Sequence, residues 1–245
     1  MVIQESADYG RTWGPVIHVS PGFPASGGDS APLVLERDGD IAIAYQGYRI
    51  YNTATYAMDP GYTYFTQSGD GGTTWSAPVR VGAAAGTMSL SGWWIDGAIG
   101  QDAAGGLYVT RDTQGAAADT GWLSFSADHG RTWSPPIRVT PDTGDATHIV
   151  EVAGGKPGIA YLAWLADNAA GGYAGYLRPF SLRHGWLSGP VTVSRQYGNT
   201  NVWPGDTFGI SALPGGRVAL SWGSAAGGSQ NSAIWATVVK VAASG

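Results

Sequence analysis

The fold is decided by an eight-residue pattern that first occurs as Ser6-Ala7-Asp8-Tyr9-Gly10-Arg11-Thr12-Trp13. The same pattern occurs twice more in the chain. The pattern Ser-x-Asp-x-Gly-x-Thr-Trp recurs at 68–75 and at 126–133, so the copies follow one another roughly every 60 residues, the mark of a repeat architecture. An aspartate followed two residues later by glycine predicts a tight turn, since the carboxylate accepts backbone N–H groups and glycine permits positive φ. We therefore interpret Asp8, Asp70 and Asp128 as structural residues of three turns rather than as catalytic groups.

The residues around each turn predict a unit of four strands. A proline-led segment of alternating apolar and polar residues follows each turn and is typical of an edge strand; a fourth copy at 188–194 follows a degraded turn in which Arg183 stands where the aspartate belongs. Short turns that predict hairpins lie at 37–40, 103–106, 154–157 and 214–216, and third strands are expected at 62–68, 121–126, 173–180 and 232–241. The order is strand A, hairpin, strand B, long loop, strand C, repeated turn, strand D.

The repeated turns resemble the Asp boxes, or bacterial neuraminidase repeats (BNR), of sialidases and related β-propellers, and the resemblance covers essentially the whole chain. It implies an all-β fold, a β-propeller of four-stranded antiparallel blades. The chain is read as one domain, 1–245, with blade units of approximately 1–20 joined to 196–245, 21–83, 84–141 and 142–195. Two arrangements stay open: a ring of four or five blades sealed by the first and last strands, which we slightly prefer, and a piece of a larger, six-bladed ring.

Composition narrows the function classes. A net charge of −5 and a pI near 5.2 argue against a nucleic-acid partner, and no run of 18 apolar residues predicts a membrane span. The chain has no cysteine, which excludes disulfides and thiolate metal sites. The expected partner is a carbohydrate or another small molecule. The expected location is extracellular or on the surface of a bacterium, although no signal peptide is visible.

Candidate catalytic residues lie in the long loops opposite the repeated turns, because long loops on a rigid scaffold carry sites. Four aspartates each precede a predicted innermost strand: Asp29, Asp96, Asp145 and Asp206. Clustered carboxylates raise one another's pKa, so one can act as a general acid while another stays ionised. Two alternatives stay open: the four aspartates hold a Ca²⁺ ion at the channel mouth, or each caps its own turn.

The same loops offer groups suited to binding a sugar. Arg49 and Arg111 follow predicted B strands and could hold a substrate carboxylate with their guanidinium forks. Aromatic faces for sugar rings come from Trp93, Trp94, Trp203 and Tyr197. For Trp93 and Trp203, filling gaps between blades is an equal alternative.

The resemblance to sialidases also implies an Arg-Ile-Pro segment, three arginines around the sialate carboxylate, an acid/base aspartate and a Tyr–Glu nucleophile pair. This chain has no Arg-Ile-Pro; Arg49 and Arg111 can supply two arginines, and Arg178 is a weaker third. Its only glutamates are Glu5, Glu36 and Glu151, none of them an obvious partner for Tyr197. The sequence predicts a sialidase-like glycan-processing propeller, an exo-glycosidase acting by paired carboxylates. The alternative is a non-catalytic carbohydrate-binding or scaffold propeller.

Overall fold

The computed structural model describes residues 2–19, 26–27, 32–48, 50–52, 57–58, 62–82, 97–113, 120–141, 147–168, 172–194, 208–224 and 233–241. Every regular element within these ranges is a β-strand. None of the described residues forms a helix long and apolar enough to cross a membrane. The described part of the chain is therefore all-β.

The first two described strands form an antiparallel pair, and a five-stranded sheet, sheet 1, follows them. The pair consists of β1 (Val2–Ile3) and β2 (Ile17–His18). Sheet 1 contains β3 (Ser26–Gly27) and β4 (Leu33–Leu35), which both pair with β5 (Ile41–Tyr48). A small ribbon of β6 (Ile50–Asn52) and β7 (Ala57–Met58) comes next. Sheet 1 then continues with β8 (Tyr62–Ser68) and β9 (Val79–Arg80).

Sheets 2 and 3 repeat this antiparallel plan. Sheet 2 runs β10 (Ile99–Gln101), β11 (Leu107–Thr113), β12 (Thr120–Ser126) and β13 (Ile137–Arg138). Sheet 3 runs β14 (Thr147–Gly154), β15 (Ile159–Asn168) and β16 (Gly172–Ser181), whose other edge carries β17 (Gly185–Trp186) and β18 (Val191–Thr192). The predicted hairpins and third strands are confirmed to within a few residues.

Sheet 4 has three described strands: β19 (Phe208–Leu213), β20 (Arg217–Ser224) and β21 (Ala233–Lys240). Apolar side chains on β21 are exposed, with Ile234 75 % and Val238 56 % accessible. Joining 1–20 to 196–245 in one blade would put β1 and β2 in the sheet of β21. The described strands do not show this pairing, because β1 pairs only with β2 and β21 only with β20.

The sheets stack in chain order through interdigitating apolar faces. Phe65 of sheet 1 packs with Leu107 and Val109 of sheet 2, and Tyr108 of sheet 2 packs with Trp164 and Phe180 of sheet 3. A further apolar cluster joins sheets 3 and 4, and another joins the first strand pair to sheet 1. Burial of these apolar surfaces is the main stabilising term.

A buried aspartate links sheets 2 and 3 beside this core. Asp102, only 1 % exposed, accepts hydrogen bonds from the Tyr108 hydroxyl at 2.7 Å and from the Ala104 and Gly106 amides at 2.7 and 3.2 Å. Its Oδ2 also accepts the Gly158 amide of sheet 3 at 3.0 Å. Burial and the adjacent carboxylate raise the pKa of Tyr108, so the phenol stays a donor.

The meander gives each sheet two distinct ends. The A–B hairpins and the repeated C–D turns emerge together at one end, which we call the box end. The B–C and D–A connections emerge at the other, the loop end. This arrangement decides which residues of different sheets can meet.

Candidate functional site

Most of the predicted loop-end residues lie outside the described part of the chain. This holds for Asp29, Asp96, Asp145 and Asp206, and also for Arg49, Trp93, Trp94, Trp203 and Tyr197. Their predicted roles, and the Ca²⁺ alternative, stay predictions. Arg111 is the one loop-end candidate from the predicted set whose side chain the structure describes.

The aspartates of the repeated turns have both carboxylate oxygens occupied by their own turn. In the turn at 126–133, Asp128 Oδ1 accepts the Thr132 amide at 2.9 Å and the Ser126 hydroxyl at 2.8 Å, while Oδ2 accepts the Thr132 hydroxyl at 2.6 Å. The Ser126 hydroxyl in turn accepts the Gly130 amide at 2.9 Å. The other two turns have the same bonds.

These hydrogen bonds hold the three carboxylates ionised. Donation from the threonine four residues on lowers the pKa of Asp8, Asp70 and Asp128 to about 2, because each bond favours the charged form. A carboxylate with so low a pKa is unsuited to general acid catalysis. The chemistry has to be sought elsewhere.

Arg111 lies near the loop end of β11 and is almost fully buried, with 7 % of its surface accessible. Its Nη1 donates to the Val81 carbonyl of sheet 1 at 3.2 Å. Its Nε is buried and has no hydrogen-bond partner within the described residues, and no described carboxylate pairs with the guanidinium. A buried cation is costly unless a counter-ion or a set of acceptors balances it. Burial lowers the pKa of Arg111 to about 10, so it remains protonated at neutral pH.

Gly82 creates the space that the guanidinium occupies. A Cβ on Gly82 would lie 3.3 Å from both Nη1 and Nη2 of Arg111 and 2.9 Å from the Ser124 hydroxyl oxygen. The Ser124 hydroxyl is also buried with no partner in the described part of the chain. We name the group formed by Val81, Gly82, Arg111 and Ser124 the Arg111 pocket.

The strand register shows that the repeat does not require an arginine here. The serine that opens each repeated turn pairs with Ile41 in sheet 1, with Leu107 in sheet 2 and with Ile159 in sheet 3. Four residues further along strand B stand Tyr45, Arg111 and Ala163, respectively. The arginine is therefore specific to sheet 2.

The glycine that accommodates Arg111 is equally specific. Gly82 comes two residues after the end of β9, and Thr140 and Ser194 hold the corresponding places after β13 and β18. Among the three sheets compared, Arg111 and the glycine beside it thus occur together at the boundary between sheets 1 and 2.

Arg178, the weaker third arginine of the sequence prediction, has a different environment. Its Nε donates to the Ser188 carbonyl at 3.0 Å and its Nη1 to the Val139 carbonyl at 3.0 Å. The guanidinium also stacks on the Trp186 ring, 4.1 Å from the centroid. These contacts engage it with the outer strands of sheets 2 and 3, so it is not a companion of Arg111.

No protein-family model and no curated protein matches the chain. Solved structures match it with a TM-score of 0.68 for a protein of unknown function from Dyadobacter fermentans, at 12 % identity over 98 % of this chain and 64 % of that one. For a Hadza microbial sialidase the TM-score is 0.61, at 18 % identity over 96 % of this chain and 49 % of that one. For a Penicillium chrysogenum α-L-arabinanase complexed with arabinobiose it is 0.57, at 14 % identity over 86 % and 62 %.

The likeness concerns the fold alone at these identities. Sialidases and arabinanases have β-propeller folds, and this chain shares with them an all-β architecture of antiparallel sheets. The chain spans between 49 % and 64 % of the length of the three proteins.

Arg111 was named as a candidate from the sequence, whereas Gly82 and Ser124, which surround it, were not. Gly82 and Ser124 give no signal by themselves, since the first is one of 39 glycines and the second lies inside a strand. Aligning the sheets on their repeated turns would have found Gly82, because the units differ in side-chain size at that place.

Proposed function

We propose that this chain forms part of an Asp-box β-propeller and that its loop end binds an acidic sugar through Arg111, in a sialidase-like, glycan-processing protein. The observation that carries the proposal is the buried guanidinium whose Nε lacks a partner among the described residues. A carboxylate is the ligand whose geometry matches a guanidinium fork. The fold likeness to a sialidase and an arabinanase supports a carbohydrate as the molecule that carries it.

The setting of Arg111 favours a ligand over a structural role. An arginine retained for stability has its donors satisfied, as Arg178 does through two carbonyls and Trp186. Arg111 makes one such bond within the described residues. A buried charge is costly unless it is paired and hydrogen-bonded. A bound carboxylate would supply both the missing negative charge and the missing acceptor.

Binding by Arg111 is tested with two matched variants, Arg111→Met and Arg178→Met. Isothermal titration with N-acetylneuraminic acid and with glucuronic acid is compared with titration by neutral arabinose. We expect the acidic sugars to bind and Arg111→Met to weaken them about 10- to 100-fold, since hydrogen bonds to charged groups contribute about 1.5–3 kcal/mol. Arg178→Met should bind them as the unaltered chain does. Equal affinity for arabinose, or full affinity in Arg111→Met, would overturn the proposal.

The proposed chemistry is hydrolysis by paired carboxylates drawn from Asp29, Asp96, Asp145 and Asp206. Aryl glycosides of the acidic sugars that bind provide the assay, with Asp96→Asn as the first variant. Turnover that Asp96→Asn abolishes, while sugar binding persists, supports a catalytic role for Asp96. Turnover unchanged in Asp96→Asn removes that residue from the site.

The second candidate function is a non-catalytic sugar-binding module. The placement of glutamates favours it, because Glu5 and Glu36 adjoin turns at the box end and Glu151 lies within β14. The Tyr–Glu nucleophile pair implied by the sialidase resemblance has no glutamate in the loops next to Tyr197. Acidic-sugar binding without turnover of any aryl glycoside would establish this second function and exclude the hydrolase.

A further inference from the structure

A cluster of ionisable side chains lies at the box end, opposite the long loops. Glu36 and Asp38 belong to the A–B hairpin of sheet 1, and His129 belongs to the repeated turn of sheet 2. His129 Nδ1 lies 3.7 Å from Glu36 Oε2 and 3.8 Å from Asp38 Oδ2. One ligand atom from each of the three residues falls within 4.8 Å of the others. The cluster thus bridges two neighbouring sheets.

Glu36 is the residue that sets this cluster apart from ordinary surface charge. It is 3 % exposed, its Oε2 points toward His129, and its Oε1 is buried with no hydrogen-bond partner within the described residues. Burial, and then the charge of Asp38, raise the pKa of Glu36. Within the described residues, the imidazole of His129 is the one basic group within 4 Å of the Glu36 and Asp38 carboxylates. A buried carboxylate with an unsatisfied oxygen beside like charge lacks positive charge.

Two of the three separations between ligand atoms approach those around a small divalent ion, and all three are within 4.8 Å. Tetrahedral coordination with bonds of about 2.0–2.2 Å separates the ligand atoms by about 3.4 Å. The measured 3.7 and 3.8 Å exceed that by a few tenths of an ångström, a shift that the half-exposed side chains of His129 and Asp38 can make. Three protein ligands leave a fourth position for water, as in open zinc sites.

Outer hydrogen bonds hold two of the ligands in place. Gln101 Nε2 donates to Glu36 Oε2 at 2.7 Å, while Gln101 Oε1 accepts the Arg37 amide at 3.0 Å. The Asp40 amide lies 3.3 Å from Asp38 Oδ1 and leaves Oδ2 for His129. Such partners orient metal ligands and tune their affinity.

We propose that Glu36, Asp38 and His129 bind one divalent transition-metal ion of the zinc type, which fastens sheet 1 to sheet 2 at the box end. An imidazole with two carboxylates suits zinc and its first-row neighbours. Calcium prefers six to eight oxygen ligands and is expected to bind far more weakly here. The site is separate from the Arg111 pocket and independent of the proposed sugar function.

The test is titration of the chelator-treated chain with Zn²⁺, followed by calorimetry. We expect one high-affinity equivalent, weakened at least tenfold in His129→Ala and in Asp38→Asn. These two side chains are half-exposed, so their variants are expected to fold. His184→Ala is the matched control, since His184 is exposed and holds the equivalent place in the degraded turn of sheet 3. It should bind Zn²⁺ normally.

Co²⁺ provides a second measurement that does not depend on stability. Tetrahedral binding with one imidazole gives visible absorption bands, which we expect in the unaltered chain and in His184→Ala but not in His129→Ala. Failure to take up either metal overturns the proposal. Uptake that persists in His129→Ala and Asp38→Asn overturns it as well, because the ion then lies elsewhere.

Discussion

The Asp102 cluster allows the most quantitative test of how neighbouring sheets are held together. In Asp102→Ala the Tyr108 hydroxyl and the Gly106 amide, both buried, lose their acceptor. The exposed Ala104 amide can turn to water, and the half-buried Gly158 amide can do so in part. A buried donor left without an acceptor costs about 1–3 kcal/mol. The free energy of unfolding should fall by about 2–6 kcal/mol.

Tyr108→Phe provides the matched control, since it removes one hydroxyl and leaves Asp102 with three backbone donors. Its expected cost is about 1 kcal/mol. In the double variant the unsatisfied hydroxyl is absent, so its cost should be smaller than the sum of the single costs by about 1–3 kcal/mol.

Urea unfolding followed by tryptophan fluorescence gives these free energies, provided that the slope against urea is unchanged among the variants. A cost below about 1 kcal/mol for Asp102→Ala, or strict additivity in the double variant, would show that the hydrogen bonds are not coupled as described. The Asp102 hydrogen bonds would then not be what joins sheets 2 and 3.

Two further predictions concern the repeated turns. Hydrogen bonds lower the pKa values of Asp8, Asp70 and Asp128 in the folded chain to about 2, so these carboxylates stabilise the fold fully above about pH 4 and lose this effect as the pH falls toward 2. The triple Asp→Asn variant should therefore lose less of its urea midpoint between pH 4 and pH 2 than the unaltered chain does. The same loss of midpoint in both proteins would contradict this. Gly130 has a positive φ of 76°, and a Cβ added there would clash with the Phe65 ring. We therefore expect Gly130→Ala to lower the free energy of unfolding by about 2–4 kcal/mol. Gly189 has open space around it, so Gly189→Ala should change the free energy of unfolding little.

The repeated turn accounts for why so much of the architecture is predictable from the sequence. Its serine, aspartate, glycine and threonine form hydrogen bonds with one another. The local sequence alone therefore specifies the turn. The strands beside it alternate regularly, and the third strand of sheet 1 was predicted at its observed bounds of Tyr62–Ser68.

The sites are less predictable because they form between sheets. Arg111 was predicted to follow a B strand, whereas it lies within β11, and its contact with Gly82 joins residues from neighbouring units. Glu36 and His129 lie in different repeats, and His129 stands at a variable position of its repeated turn, where the other two copies have Tyr9 and Gly71. Cross-sheet distances decide such sites, and they come from packing rather than from local pattern.

The Nε–H resonance of Arg111 tests the central claim most directly, because that group is the donor left without a described partner. Proton–nitrogen NMR spectra of arginine side chains, with Arg111→Lys for assignment, are recorded during titration with N-acetylneuraminic acid and with arabinose. We expect the acidic sugar to cause a saturable downfield shift of the Arg111 Nε–H proton and arabinose to cause none. The Nε–H resonance of Arg178 should stay unchanged with both sugars. An Arg111 resonance unaffected by any acidic sugar at saturation would contradict it.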